Sequence, residues 1–181
     1  MIFTETSLKG SYLIELEPIG DDRGWFARTY CKNEFGKIGH TKEWVQLNHS
    51  FTKQQGTIRG MHYQIPPFSE IKLVRCIAGA VYDVIVDVRK GSSTFLHYFG
   101  AELSAANKKI LYIPEGFAHG FQALSDDCEL LYHHSQFYLS GVEGGIKYNE
   151  PMVNIEWPLP VMNISARDNA HPSIDANFKG L

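Results

Sequence analysis

Hydrophobic and polar residues alternate with a period of two along most of the chain, as is typical of half-buried β-strands. Glycine and proline pairs such as Gln55-Gly56 and Pro66-Pro67 separate the alternating stretches. The first predicted strand covers residues 12–17, and the second follows a turn at 20–24 and ends at Tyr30. The other predicted strands cover residues 45–51, 57–64, 70–77, 81–88, 96–103, 109–113, 120–124 and 129–138. One short helix is predicted at residues 33–38. This pattern predicts a single all-β domain over residues 1–181, an antiparallel sandwich or barrel, with an irregular proline-rich segment from about residue 151.

Strand alternation also assigns the chemically active side chains to faces. His62 lies on one face of its strand together with Gln64, and Arg59 is predicted on the opposite face. Lys72 shares a face with Glu70, and Tyr132 shares one with His134.

Two aspartates, Asp83 and Asp87, interrupt an otherwise apolar strand on what should be an inner face. A buried carboxylate without a partner is costly, so we expect both to bind cations. Lys72 or a neighbouring cation is the predicted partner.

Composition excludes several classes of protein. Hydrophobic residues make up 44% and aromatic residues 13% of the 181, which excludes intrinsic disorder. The net charge of −3 argues against a nucleic-acid binder. No stretch approaches the length of a membrane span, and the N-terminus lacks the pattern of a signal peptide. Three widely spaced cysteines, Cys31, Cys76 and Cys128, fit buried thiols in a reducing compartment, so a cytoplasmic protein without membrane or nucleic-acid partners is expected.

A second concentration of chemistry lies in the loop before and after Gly116. Pro114-x-Gly116-x-x-His119 is similar to the second half-motif of cupins, and Gly56 followed by His62 resembles the start of the first. Gln64 stands where a metal-binding cupin has a histidine. His62, His119 and Glu70 are three possible ligands, but the spacing of Glu70 is wrong, and no metal is predicted.

Eight motifs occur in one order and resemble a known family. They are Asp22-Arg23-Gly24-x-Phe26, Gln46-x-Asn48-His49-Ser50, Arg59-Gly60-Met61-His62-Tyr63-Gln64, Lys72-Leu73-Val74-Arg75, Leu103-Ser104-x-x-Asn107, the stretch from Ile113 to Phe121, Leu131-Tyr132, and Ile155-x-Trp157-Pro158. Together they resemble the dTDP-4-dehydrorhamnose 3,5-epimerases and related nucleotide-sugar epimerases, from about residue 2 to 175.

The resemblance implies a cupin-type jelly-roll barrel with a few short helices, without metal or other cofactor and usually homodimeric. It implies an isomerase that epimerises C3 and C5 of a nucleotide-activated 4-keto-6-deoxyhexose. The expected reaction converts dTDP-4-dehydro-6-deoxy-D-glucose to dTDP-4-dehydro-L-rhamnose, or acts on a close analogue.

The resemblance also assigns catalytic roles. Epimerisation beside a ketone needs a base, an acid on the opposite face and a cation at the developing enolate oxygen. By resemblance, His62 is the base and Asp168 orients it, Lys72 is the cation, and Tyr132 is the proton donor.

Further positions match substrate contacts of the family. They are Arg23, Gln46, Asn48, Arg59, His119, Tyr138, which matches the aromatic residue stacked on the nucleobase, and Glu143. Arg28 stands where the family has a glutamate near the nucleoside, and Arg167 stands where a lysine is common. We expect both arginines to contact the substrate.

Three alternatives stay open at this point. The chain could epimerise C3 only, or be a ketoisomerase of another nucleotide sugar. It could be a non-catalytic cupin that binds a sugar or nucleotide. A metal-dependent cupin oxygenase or isomerase is the third, with metal at His62 and His119.

Overall fold

β-Strands form almost the whole of the structure, a computed structural model that describes residues 1–175 and 177–181. The elements are β1 (Ile2–Glu5), β2 (Tyr12–Glu15), β3 (Ile19–Asp21), β4 (Gly24–Phe26), α1 (Lys32–Gly36), β5 (Gln46–Thr52), β6 (Thr57–Gln64), β7 (Lys72–Ala78), β8 (Ala80–Asp87), β9 (Tyr98–Ser104), β10 (Ile110–Ile113), β11 (Phe117–Ala123), β12 (Cys128–His134), β13 (Glu143–Gly145), β14 (Asn163–Ile164) and α2 (Ala166–Asn169). In the described part of the chain, neither helix is long and apolar enough to cross a lipid bilayer.

The strands form two large sheets. The first has the order β1-β2-β10-β7-β12-β5, and the second has the order β13-β6-β11-β8-β9, with β14 paired to β6. Within them, strands β5 to β12 make two four-stranded sheets, β10-β7-β12-β5 and β6-β11-β8-β9, whose pairs are antiparallel. Eight antiparallel strands in two such sheets form a jelly roll. The predicted jelly-roll fold is confirmed.

The main core lies between the two sheets. It joins Val74, Leu111 and Leu130 of the first sheet to Ile85 and Phe121 of the second. Val84 and Val86 of β8 and the following Val88 belong to a separate cluster with residues of the C-terminal segment. That segment therefore covers the outer face of the second sheet.

Some element boundaries differ from the prediction. The predicted strand through Tyr30 ends at Phe26, because β4 pairs only with β3 in an isolated hairpin. The predicted strand 129–138 ends at His134, which lies opposite Gln46, the first residue of β5. Strand pairing stops where the partner strand stops. The segment after residue 151, predicted as irregular, contains β14 and α2, and Ser165 caps α2 by accepting a hydrogen bond from the Asp168 N–H.

Candidate active site

A cavity of about 850 Å³ is lined by residues of both sheets. Its size is that of a small-molecule site. Most of the side chains singled out in the sequence line it: Gln46, Asn48, Arg59, His62, Lys72, His119, Tyr132, Tyr138, Glu143, Arg167 and Asp168.

Arg59 lines this cavity together with His62, although simple alternation predicted opposite faces. That prediction is wrong because the register of β6 shifts: His62 pairs with His119, whereas Arg59 pairs with Phe121. An advance of three residues along β6 therefore corresponds to two residues along β11, as in a β-bulge. Gly60 and Gly120 permit the close approach, since a Cβ on Gly60 would meet the Gly120 Cα at 2.6 Å.

His62 is held by Asp168, which comes from α2 at the far end of the chain. The His62 Nε2 lies 2.7 Å from Asp168 Oδ1, and the Gly60 N–H donates to Oδ2 at 3.1 Å. Burial raises the pKa of the Asp168 carboxyl, but the hydrogen bonds from His62 and Gly60 outweigh it and lower the pKa to about 2. An ionised carboxylate only accepts, so His62 Nε2 carries a hydrogen. In the neutral ring, Nδ1 is then the basic nitrogen.

A second histidine–aspartate pair lies on the neighbouring strands. His119 Nε2 donates to both oxygens of Asp83, at 2.9 and 3.0 Å. Asp83 was expected to bind Lys72 or a neighbouring cation, and the prediction for Lys72 is wrong. Asp87 binds Arg89 at 2.7 Å and accepts from Ser92 and Thr94 at a turn, away from Lys72.

Tyr132 extends from the first sheet into the cavity. Its hydroxyl lies 3.2 Å from Ser50 Oγ, and its ring contacts the ring of His119 across the barrel, with centroids 6.2 Å apart. Burial raises the pKa of Tyr132 well above its usual value. The phenol is therefore protonated at neutral pH and is able to donate a proton.

The partner of Lys72 is Glu70. The Lys72 Nζ lies 3.2 Å from Glu70 Oε1, and His134 Nδ1 lies 2.6 Å from Glu70 Oε2. The sequence placed Lys72 and Glu70 on one face, and Tyr132 and His134 on one face. Pairing Glu70 with His134 needs the register between β7 and β12, in which His134 lies opposite Lys72. A single sequence does not contain that register.

A further group of cavity residues is Tyr138, Glu143 and Arg167. The Tyr138 hydroxyl donates to Glu143 at 3.1 Å, and Arg167 pairs with Glu143 at 2.9 Å. Tyr138 is exposed, with its ring available to a ligand. Arg59 donates to Thr52 Oγ1 and to the Phe51 carbonyl, and among the described residues no carboxylate pairs with it. Arg59 is thus a cation open to an anionic ligand.

Arg23 and Arg28 are not brought to this cavity. Arg23 is on the β3–β4 hairpin, where its side chain is 90% exposed and pairs with Asp21. Arg28 pairs with Glu34 of α1 at 2.7 Å. Within one chain, the predicted contact of either arginine with the site is therefore not made.

One group of possible metal ligands occurs in the described ranges: His62, Asp168 and His171, whose ligand atoms lie within 4.8 Å of one another. It differs from the set considered in the sequence, because His119 and Glu70 have the partners described above. His171 packs against the ring of His62 and over Gly145.

Sequence reasoning missed two supporting hydroxyls, Ser50 beside Tyr132 and Ser165 at the start of α2. Ser50 was part of a quoted motif without a role of its own. Ser165 stands three residues before Asp168 and accepts a hydrogen bond from its N–H. An N-cap serine has this spacing from the residue that it caps, and the spacing was the available signal in the sequence.

The comparisons with known proteins agree on one family. The family model for dTDP-4-dehydrorhamnose 3,5-epimerase matches residues 5–176. The dTDP-4-dehydrorhamnose 3,5-epimerase of Shigella flexneri is 42% identical over 176 residues, which are 96% of this chain and 97% of the relative. The crystal structure of the Elizabethkingia anophelis NUHP1 enzyme of the same description has a TM-score of 0.94 at 38% identity and covers 98% of each chain. The Legionella pneumophila Philadelphia 1 dTDP-6-deoxy-D-glucose-3,5-epimerase, solved with dTDP-4-keto-L-rhamnose, has a TM-score of 0.91 at 37% identity, covering 99% of this chain and 97% of that one.

Proposed function

The chain belongs to the dTDP-4-dehydrorhamnose 3,5-epimerase family, and we propose that its cavity carries out the epimerisation with His62 as base and Tyr132 as acid. It is an isomerase that inverts C3 and C5 of a dTDP-4-keto-6-deoxyhexose. The observation that carries the assignment of roles is one cavity into which the first sheet places Tyr132 and Lys72 and the second sheet places the His62–Asp168 pair.

The reaction removes and returns a proton beside a ketone. His62 Nδ1 takes the proton from the carbon next to C4, and the electron pair of that C–H bond moves onto the C4 oxygen as an enolate. Lys72 stabilises this oxygen, and a donor so placed contributes about 3–4 kcal/mol. The Tyr132 hydroxyl then gives its proton to the opposite face of the same carbon, which restores the ketone and inverts the centre. The His62 imidazolium then gives its proton to solvent and the Tyr132 phenolate takes one from solvent, so that the same steps at the second carbon complete the product.

Asp168 makes His62 an effective base in two ways. Its carboxylate holds the hydrogen on Nε2, which directs the lone pair of Nδ1 to the substrate, and it stabilises the imidazolium that forms. Because the pKa of Asp168 is about 2, the carboxylate keeps its charge throughout the neutral range.

The substrate's nucleotide is assigned to the end of the cavity with Tyr138, Glu143 and Arg167. The exposed ring of Tyr138 suits stacking on the base. Arg59, without a carboxylate partner among the described residues, suits the diphosphate. Gln46, Asn48 and His119 suit the polar groups of the sugar.

We also propose a homodimer in which the β3–β4 hairpin reaches the site of the second copy. Ile19, Trp25 and Phe26 of this hairpin are 79%, 53% and 76% exposed, which is unusual for three large apolar side chains within eight residues. A second copy that covers them would also bring Arg23 from the hairpin toward a neighbouring cavity.

Subunit mixing tests this arrangement. Arg23→Ala and His62→Ala proteins are purified separately, each with low activity, and are then mixed under conditions that exchange subunits. If Arg23 acts on the partner's site, the mixed dimer contains one complete site and activity returns. A monomer in sedimentation, or mixed subunits that stay inactive although heterodimers form, would refute the proposal.

Solvent exchange tests the reaction itself. In D2O the wild type should place deuterium at both C3 and C5 of dTDP-4-dehydro-6-deoxy-D-glucose. Deuterium at C3 alone would identify a C3 epimerase, and a migrated carbonyl would identify a ketoisomerase. Absence of exchange with several nucleotide-activated 4-keto sugars would leave the non-catalytic cupin. Elemental analysis of the same preparation separates the metal-dependent alternative, since a metal bound through His62 is incompatible with its role as base.

A further inference from the structure

A chain of polar side chains runs along the first sheet, from the segment of Tyr138 to Lys72. The Tyr138 N–H lies 3.1 Å from Gln46 Oε1, and Gln46 Nε2 lies 3.1 Å from Asn48 Oδ1. Asn48 Nδ2 lies 3.3 Å from His134 Nε2, and His134 Nδ1 lies 2.6 Å from Glu70 Oε2. Glu70 Oε1 ends the chain at Lys72 Nζ, 3.2 Å away.

The direction of every hydrogen bond in this chain is set by its first member. A backbone N–H only donates, so Gln46 must present its carbonyl oxygen to Tyr138 and its amide N–H to Asn48. Asn48 then accepts through Oδ1 and donates through Nδ2, and His134 must accept at Nε2. The single hydrogen of a neutral His134 ring is therefore on Nδ1, where it faces the Glu70 carboxylate.

The hydrogen-bonded series of side chains ends at a buried charge pair. The side chains of Lys72 and Glu70 are 11% and 10% exposed. Burial raises the pKa of the Glu70 carboxyl, but the hydrogen bond from His134 and the charge of Lys72 outweigh it, and the pKa is lowered. Glu70 is thus the negative charge that compensates Lys72, and His134 holds it in place.

We propose that Glu70 and His134 are positioning residues for the proposed epimerisation: Glu70 holds the Lys72 ammonium in place and directs it at the enolate oxygen, and His134 fixes both Glu70 and the amide of Asn48. This inference rests on the proposed function. It adds that the segment contacting the nucleotide and the cation contacting the sugar belong to one hydrogen-bonded chain. Docking of the nucleotide on Tyr138 then orders the same residues that hold Lys72.

Glu70→Gln tests the charge at the Lys72 end. The amide keeps an acceptor for His134 and removes the countercharge, so kcat should fall by about 10-fold to 100-fold with little change in KM.

Glu129→Gln is the matched control. Glu129 pairs with His49 at 2.7 Å, again between β12 and β5, but both side chains are exposed. This variant should retain wild-type kcat, KM and pH profile. Equal behaviour of Glu70→Gln and Glu129→Gln would overturn the positioning role of Glu70.

Two substitutions of His134 separate the two ends of its ring. His134→Asn places a donor near the position of Nδ1 and lacks the acceptor for Asn48, so it should raise KM more than it lowers kcat. His134→Gln places its amide near the position of Nε2 and loses the donor to Glu70, so kcat should fall more than KM rises. Both lose the stacking of His134 on Tyr132, which cancels in the comparison. If His134→Asn and His134→Gln changed kcat and KM identically, the assigned direction of the hydrogen bonds would be overturned.

Nitrogen-15 NMR of the wild-type histidines tests the direction of these hydrogen bonds without any turnover. At neutral pH the His134 ring should carry its hydrogen on Nδ1, and a hydrogen on Nε2 would overturn the assigned direction. Exchange at C3 and C5 is measured on the same sample. A wild type without exchange refutes the proposed function, whereas an active wild type whose Glu70→Gln variant matches the control refutes only the positioning role.

Discussion

Two histidine–aspartate pairs lie side by side on the second sheet, and they differ mainly in access. His62 and His119 are directly opposite each other on β6 and β11. The His62 side chain is 32% exposed and its partner comes from α2, whereas the His119 side chain is 7% exposed and its partner Asp83 is fully buried on β8. The same two residue types thus form one pair that is able to exchange a proton with a ligand and one that mainly orients a ring. In the proposed mechanism, access to the cavity and not residue type distinguishes the base His62 from the binding group His119.

The largest expected difference between the pairs is the effect of removing each histidine. His62→Ala should lower kcat by about 10³–10⁴-fold, because a general base is lost. His119→Ala should act mainly on KM, since His119 binds without taking the proton. Steady-state kinetics with dTDP-4-dehydro-6-deoxy-D-glucose measures both. If His119→Ala cost as much kcat as His62→Ala, the contrast between the pairs would be wrong.

Tyr132 sharpens the comparison, because its ring contacts His119 while the proposed base is His62. Tyr132→Phe removes the acid and keeps the ring, so inversion should fall by about 10²–10³-fold. His62 still removes and returns protons on its own face, so deuterium should enter the substrate faster than product forms. Exchange and epimerisation are followed together by NMR in D2O. Loss of both in equal measure would assign proton removal to Tyr132 as well.

The aspartates should differ in the same sense as their histidines, by a smaller factor. Asp168→Asn reverses the preference for a hydrogen on His62 Nε2 and should lower kcat by about 10²-fold or more. Asp83→Asn should change kcat by less than about 10-fold, because His119 only binds. Circular dichroism of both variants controls for folding. A larger kcat loss in folded Asp83→Asn would place the proton transfer at the buried pair.

The motifs predicted one site for His62, Lys72 and Tyr132, since each lies in a continuous stretch with a characteristic pattern, and all three line one cavity. A motif also predicted Arg59 in the site, but alternation alone put it on the wrong face, because that face depends on the bulge between β6 and β11. The partners were also beyond a single sequence: Asp83 binds His119 and not Lys72, and Glu70 binds His134, because both pairings follow from strand register. The overall fold was accessible because alternation is a local property, whereas register is a relation between strands distant in the chain.

The smallest expected effect concerns stability at acid pH. The pKa of Asp168 is lowered to about 2 in the folded protein against an ordinary value of 3.8, so its ionised form favours folding. That contribution, about 2 kcal/mol, is fully present above about pH 4 and is lost as the pH falls toward 2. In Asp168→Asn this part of the acid dependence should be missing from the free energy of unfolding, measured by urea titration at several pH values and one protein concentration.

Asp87 provides the control for that measurement, because its pKa is also about 2. Burial raises the pKa of Asp87, and hydrogen bonds from Arg89, Ser92 and Thr94 outweigh that effect. Asp87→Asn should therefore remove a similar part of the acid dependence while leaving kcat close to the wild-type value, since Asp87 lies at a turn and holds no cavity residue. Asp168→Asn should lose both stability and activity. We therefore expect the two carboxylates to contribute alike to folding and only Asp168 to contribute to turnover. Loss of activity in a folded Asp87→Asn protein would contradict this separation.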